Sequence, residues 1–167
     1  MKTLFLIGGP MGVGKTTVCR HLKQTLSGSV FLDGDWCWDA NPFLVNEETK
    51  AMVLDNICHL LNNFLRCTAY ETVIFCWVMH EQRIIDTILS RLDTENCVVK
   101  CISLTANSVS LRNRIMADIA QGTRAPDALD RSLARLPLYA GLSTIQVDTT
   151  GKSAEEVCLE IAGLRPV

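Results

Sequence analysis

The sequence predicts an α/β fold of three layers, in which helices cover both faces of a parallel sheet of about five strands. The main observation is that strand-like and helix-like segments alternate along the whole chain. A second is that the strand-like segments are short apolar runs, as expected of strands buried on both faces. The chain has 167 residues, of which 48% are hydrophobic and 20% charged. This is enough for an ample core, and we predict one domain over residues 1–167.

The periodicity of the apolar residues places the individual elements. The predicted strands are residues 3–7, 30–32, 72–78, 98–104 and 144–147. The predicted helices begin at about residue 15, run over residues 46–66, 81–92 and 108–120, continue from Asp127 to near Pro137, and end with one opened by Ser153. Asn46 and Asp127 are expected to cap their helices, and Ser153 with Glu156 forms a capping box.

The turn after the first strand carries the spacing G-x-x-x-x-G-K-[ST] over residues 9–16. In such a turn the backbone N–H groups surround a phosphate, and the following helix adds the positive end of its dipole. Lys15 would reach the outer phosphates, and the Thr16 hydroxyl would ligate Mg²⁺. The expected nucleotide-binding residues here are Gly9, Met11, Gly12, Val13, Gly14, Lys15, Thr16 and Thr17.

An acidic turn, Asp33-Gly34-Asp35, follows the second strand directly. Ligands of parallel α/β sheets sit at the carboxyl ends of the strands, so both carboxylates are expected beside the phosphate. One of these carboxylates can hold Mg²⁺ through water, and the other can accept the proton of an attacking hydroxyl. The alternative is an Asx-turn with a purely local role.

Several segments together resemble small-molecule kinases of the nucleoside monophosphate kinase superfamily. Residues 32–35 (L-D-G-D) are similar to gluconate and adenylylsulfate kinases. Residues 133–139 resemble the R-x-P-L-Y segment of shikimate kinases, and residues 147–157 their last strand and adenine-side loop. The resemblance implies a P-loop NTPase fold with strand order 2-3-1-4-5, ATP and Mg²⁺ as cofactors, and a small-molecule hydroxyl as phosphate acceptor.

The resemblance also implies roles for residues outside the phosphate loop, with Asp33 assisting the metal and Asp35 contacting the acceptor and acting as base. It places the acceptor at about residues 34–66 and a lid at about residues 112–128. Arg124 resembles the catalytic lid arginine, although a neighbour could take that role, and Arg114 or Arg112 would stack on adenine. Asp148 and Thr150 would lie on the nucleotide's base side. The residues expected to bind the acceptor are Asp33, Asp35, Trp36, Trp77, His80 and Arg135.

The chain departs from shikimate kinases after the third strand. It has Cys76-Trp77-Val78-Met79-His80 where they have a glycine triplet, which makes shikimate itself doubtful as the acceptor. The strand also lacks a terminal acid, so the metal would depend on Thr16, Asp33 and the phosphates. Trp36, Trp38 and Trp77 can wall the acceptor pocket or can be core and surface residues, and the sequence leaves this open.

Composition limits the other functional classes. A net charge of −2 gives no reason to expect nucleic acid or an acidic membrane as partner. The eight cysteines have no metal-like spacing, and the N-terminus has no secretion signal, so a cytoplasmic monomer or homodimer is expected.

The function that these observations favour is an ATP-dependent phosphotransferase. The alternatives are a nucleoside or nucleotide kinase, an antibiotic-modifying phosphotransferase, and a nucleotide-binding regulator without transfer, and ATP and GTP are not distinguished.

Overall fold

A computed structural model describes residues 1–165 and contains one parallel sheet. Its strands are β1 (Lys2–Gly8), β2 (Ser29–Asp33), β3 (Thr72–Cys76), β4 (Cys97–Thr105) and β5 (Ile145–Asp148). Their spatial order is β2-β3-β1-β4-β5, and every neighbouring pair is parallel. The predicted order 2-3-1-4-5 is therefore confirmed.

The helices cover both faces of this sheet. They are α1 (Lys15–Thr25), α2 (Glu47–Arg66), α3 (Gln82–Ser90), α4 (Ser108–Ala120), α5 (Ala128–Arg135) and α6 (Ala154–Ala162), with 3-10 helices at Gly34–Cys37 and Leu136–Gly141. Within residues 1–165, none of the helices combines the length and the apolar character needed to cross a membrane.

Alternate residues of the central strand divide the core in two. Phe5 and Ile7 belong to a cluster with apolar residues of α1, α4 and α6. Leu4 and Leu6 belong to a second cluster, with apolar residues of α2 and α3. Because successive strand residues point to opposite faces, this division produces the three predicted layers.

The helix starts largely follow the predicted caps. Asn46 and Ser153 each form a reciprocal capping box with the residue three positions later. The prediction that the Asp127 side chain caps α5 is wrong. Asp127 directly precedes α5, but its carboxylate makes no capping hydrogen bond and instead pairs with Arg131, 3.2 Å away.

The third strand is shorter than predicted, ending at Cys76 instead of residue 78. The Trp77 N–H still donates to the Ile7 carbonyl at 3.2 Å, and the chain then leaves the sheet. On the other side of β3, the neighbouring strand β2 ends at Asp33, which is paired with Cys76, so β3 has no partner on that side beyond this point. Residues 77–80 therefore lie outside the sheet, next to the end of β1 where the glycine-rich turn begins.

Candidate active site

The loop of residues 9–14, which we call the phosphate loop, joins β1 to α1 and is closely packed on its outer side. Gly12 has φ +79°, and a Cβ there would lie 2.4 Å from Cγ1 of Ile115 in α4. A Cβ on Gly9 would lie 2.8 Å from the Leu104 carbonyl oxygen. Gly14, with φ +101°, is the residue before α1. Both backbone angle and space therefore require glycine at Gly12.

Lys15 extends back along this loop. Its ammonium donates to the carbonyls of Gly9 (2.9 Å) and Pro10 (3.0 Å). Burial lowers the pKa of Lys15, while the negative charges of Asp35 and Asp33 act in the opposite direction. A buried cation thus lies at the start of α1, where the helix dipole also favours an anion.

Asp33 connects the end of β2 to the phosphate loop. The Thr16 hydroxyl donates to its Oδ2 at 2.6 Å, and its Oδ1 accepts from the Asp35 N–H at 3.1 Å. Only 5% of Asp33 is exposed. The predicted Asx-turn is therefore present, and the same carboxylate also lies against Thr16. A hydroxyl and a carboxylate oxygen side by side are the hard oxygen donors that Mg²⁺ prefers.

Asp35 follows one residue after a close contact between Gly34 and Trp77. A Cβ on Gly34 would lie 2.6 Å from Cγ and Cδ1 of the Trp77 ring, so the indole packs directly on the glycine. Desolvation raises the pKa of Asp35, and the Asp33 charge raises it further, whereas Lys15 and the Trp77 indole N–H lower it. The side chain remains open to solvent. A carboxylate with a raised pKa is a better proton acceptor than an ordinary aspartate.

Cys76 stands at the end of β3, beside Asp33 in the strand register. It is completely buried, and a hydrogen bond with Cys19 together with burial raises the pKa of its thiol. The thiol therefore stays protonated and is a poor metal ligand. Within the described residues no three His, Cys, Asp or Glu side chains are grouped as a metal site. Thr16 and Asp33 remain the protein oxygens suited to Mg²⁺.

Arg124 lies in the turn between α4 and α5. Its Nε donates to the Asp118 carboxylate at 2.7 Å. It is close enough to Lys15 and Asp35 that its charge lowers the pKa of both. The lid predicted for residues 112–128 is mostly helical, because residues 108–120 belong to α4, and only residues 121–127 form the turn.

A cleft of about 190 Å³ lies beside the end of the phosphate loop and the start of α1. It is lined by Val13, Gly14, Thr17, Val18, Arg114, Thr149, Lys152, Ser153, Ala154 and Val157. The Arg114 guanidinium donates to the Val13 carbonyl (3.2 Å) and to the hydroxyl and carbonyl of Thr149 (both 2.9 Å). Arg112 is exposed and has no hydrogen bond or ion pair within residues 1–165. Of the two predicted arginines, Arg114 is the one in the cleft.

Asp148 and Thr150 do not line this cleft; they hold the turn beside it. The Asp148 carboxylate accepts from the Thr150 N–H at 2.9 Å, and these hydrogen bonds lower its pKa. The Thr150 hydroxyl accepts from the Asn107 N–H at 2.8 Å. The sequence reasoning missed Thr149 and Lys152. The alternation of side chains after a strand was the available signal, since it places Thr149 on the opposite side from its two neighbours.

The predicted acceptor residues separate into two groups. Trp77 and His80 follow the end of β3, and Arg135 is the last residue of α5. Trp36 instead packs edge to face on Phe31, with ring centroids 5.1 Å apart, and is 54% exposed. Trp38 similarly packs on Phe43 at 4.6 Å.

His80 and Arg135 lie close together. Burial lowers the pKa of His80, and the Arg135 charge lowers it further, so the imidazole is neutral near pH 7. Its Nε2 is 3.4 Å from the Glu81 carboxylate, and its buried Nδ1 has no partner among the described residues. Arg135 is half-buried and, within residues 1–165, makes no ion pair. Cationic and neutral hydrogen-bonding groups are therefore available to a ligand beside the phosphate loop.

Similar solved structures share this fold. The Deinococcus radiodurans tunicamycin resistance protein aligns with a TM-score of 0.75 at 19% identity, covering 98% of this chain and 95% of that one. A gluconokinase from Sinorhizobium meliloti gives 0.71 at 18% identity, covering 97% and 91%. A shikimate kinase from Acinetobacter baumannii, in complex with shikimate, gives 0.62 at 19% identity, covering 98% and 92%.

Comparison by sequence gives fewer matches than comparison by structure. Curated protein sequences give no match. The AAA_18 family, described as an AAA domain, matches residues 6–125, which include the phosphate loop, the acidic turn and most of the lid turn. A match over well more than half of the chain, together with the sheet order and the phosphate loop, shows that this chain belongs to the AAA_18 family of AAA domains and has the fold of P-loop kinases.

Proposed function

We propose that this protein is a kinase that transfers the γ-phosphate of Mg-ATP to a hydroxyl group of a small molecule. The observation that carries the proposal is the meeting of four groups at the end of the phosphate loop: the Lys15 ammonium, the Thr16 hydroxyl and the carboxylates of Asp33 and Asp35. Phosphoryl transfer needs this combination of positive charge, metal ligands and a proton acceptor.

The donor side follows from the phosphate loop. Backbone N–H groups of residues 9–14 and the Lys15 ammonium would bind the phosphates. The oxygens of Thr16 and Asp33 fit Mg²⁺, which when bound neutralises phosphate charge. Arg124 already lies near Lys15 and would add its guanidinium to the transferring phosphoryl group once released from Asp118. The cleft beside Arg114 would hold the base.

The acceptor side follows from Asp35. Its raised pKa suits it to accept the hydroxyl proton as the oxygen attacks phosphorus. Trp77 supplies a flat apolar surface next to that carboxylate, and Arg135 with His80 would bind a polar or anionic part of the acceptor. Most of the rate acceleration would come from positioning and charge stabilisation.

Modification of an antibiotic is a second candidate within the same chemistry. Large exposed apolar side chains follow the Asp35 turn: Phe43 is 57% exposed, Leu44 56% and Met52 44%. A bulky, partly apolar acceptor would cover such a surface. The likeness to a tunicamycin resistance protein supports this candidate. A nucleoside acceptor would use the same surface.

A cytoplasmic location and a monomeric or homodimeric state are further parts of the proposal.

The proposal is tested by the release of ADP from Mg-ATP in the presence of panels of hydroxyl compounds: sugar acids, polyols, nucleosides and hydroxyl-bearing antibiotics. Stimulation by one panel, with phosphate recovered on the compound, is the expected result. Lys15→Ala and Asp35→Asn should abolish turnover while remaining folded, whereas Asp39→Asn, an exposed acid of the same segment, should retain it. Nucleotide binding with no stimulated turnover would instead indicate a regulator, and full activity of Asp35→Asn would exclude it as the base.

A further inference from the structure

Helix α5 contacts the phosphate loop through one buried hydroxyl. The Ser132 Oγ donates to the carbonyl oxygen of Met11 at 2.7 Å. Ser132 is fully buried, with 0% exposure, although the helix lies 121 residues further along the chain. A buried hydrogen bond of this length between a helix and a glycine-rich loop fixes the orientation of the loop peptide that accepts it.

That peptide links Met11 to Gly12. A trans peptide is planar, and its C=O and N–H groups point in opposite directions. With the Met11 carbonyl directed to Ser132, the Gly12 N–H must point away from α5. The outer side of the loop is occupied by α4, since Ile115 and Leu111 lie against Gly12. The N–H is therefore left to the inner side, where phosphate oxygens would bind.

Gly12 is also the residue at which this orientation could be lost. Its φ of +79° lies in a region that glycine occupies readily, and glycine passes between backbone regions more easily than other residues. Rotation of the Met11–Gly12 peptide would turn a carbonyl toward the phosphate and leave the Ser132 hydroxyl buried without its acceptor. A buried polar group without a partner is unfavourable, which holds the peptide in its present orientation.

We propose that Ser132 is a positioning residue for nucleotide binding, which holds the Gly12 N–H toward the β- and γ-phosphates. The inference rests on the proposed nucleotide site, and it adds a residue of α5 to that site. It also ties the element after the lid turn to the phosphate loop, so the two are positioned as one unit.

The test compares Ser132→Ala with Ser103→Ala. Ser103 is equally buried, at 1% exposure, and its hydroxyl bonds Thr144 at 2.7 Å and no atom of the phosphate loop. Calorimetry measures the affinity of each variant for MgATP, MgADP and AMP, and thermal unfolding measures its stability. We expect Ser132→Ala to bind MgATP and MgADP on the order of threefold to tenfold more weakly than wild type, as loss of one hydrogen bond predicts. AMP, which has no β- or γ-phosphate, should bind unchanged.

A purely structural role would lower the stability of both serine variants and leave the ratio of MgATP to AMP affinity the same. That result overturns the inference, as does wild-type MgATP affinity in Ser132→Ala. If Ser132→Ala does not fold, Ser132→Cys replaces it, since the thiol keeps the side-chain shape but is a weak donor. Absence of MgATP binding in the wild-type protein would refute the proposed function itself, and so the two failures are distinguishable.

Discussion

Substitution of Gly34 by alanine should destabilise the protein through a single contact. Gly34 has an ordinary negative φ, so alanine meets no backbone strain there. The new Cβ would, however, lie 2.6 Å from Cγ and Cδ1 of Trp77 and 3.0 Å from its Cβ. These atoms are near the Trp77 backbone, so rotation of the indole alone does not remove the overlap. Either residues 77–80 or the Asp35 turn must shift.

The magnitude follows from two opposing effects. Overpacking a well-packed site costs about 1–3 kcal/mol. Replacing glycine by alanine where the backbone allows it stabilises by about 0.4–1 kcal/mol. The net loss should be about 1–2 kcal/mol, which lowers Tm by about 2–8 °C in a domain of this size.

Thermal and denaturant unfolding measure the effect against Gly141→Ala. Gly141 has no heavy atom within 4 Å of its virtual Cβ and no positive φ, so this variant should match or exceed wild-type stability. In a Trp77→Ala background the cost of Gly34→Ala should be smaller than in the wild-type background, because Cγ and Cδ1, the two atoms at 2.6 Å, are removed and only the Cβ at 3.0 Å remains. Equal stability of Gly34→Ala and Gly141→Ala in the wild-type background would refute the reasoning.

Two further predictions concern the base cleft and the proposed proton acceptor. Arg114→Lys cannot reproduce the fork that donates to Thr149 and Val13, so calorimetry should show MgATP affinity lowered about tenfold, while Arg112→Lys, at an exposed position without partners, should bind like wild type. Asp35 has a folded-state pKa above its unfolded value, so its carboxylate reduces stability as pH rises above about 4. Asp35→Asn should therefore melt above wild type at pH 8, with the difference disappearing below pH 4, and a lower melting temperature at pH 8 would contradict this.

The fold was predictable from the sequence because its signals are local. Apolar runs, capping residues and the glycine-rich turn each specify a strand, a helix start or a connection without reference to distant residues. Asn46 and Ser153 show this, since both cap their helices as predicted, Ser153 within the predicted capping box. The error at Asp127 also arises from reasoning with local signals alone. Its side chain had two possible partners, a backbone N–H and Arg131, and only the folded structure shows the ion pair.

The site was predictable in the part that a contiguous motif or a strand end positions. Lys15, Thr16 and Asp33 lie where the phosphate-loop spacing and the strand end place them. The contacts of Ser132 and Thr149 join residues far apart in the sequence and carry no local motif. The Gly34–Trp77 contact likewise depends on how β3 leaves the sheet.

The proposed phosphate donor and acceptor differ in the same way, because the fold positions the groups for the donor and individual side chains would bind the acceptor. A phosphate would be bound by backbone groups of the phosphate loop, whose positions the fold determines. The acceptor would meet side chains that this sequence supplies by itself: Trp77 in contact with Gly34, and His80 beside Arg135. The Trp77 ring packs on Gly34, the residue directly before Asp35. Under the proposed function, this ring would therefore affect both the acceptor surface and the surroundings of the proton acceptor.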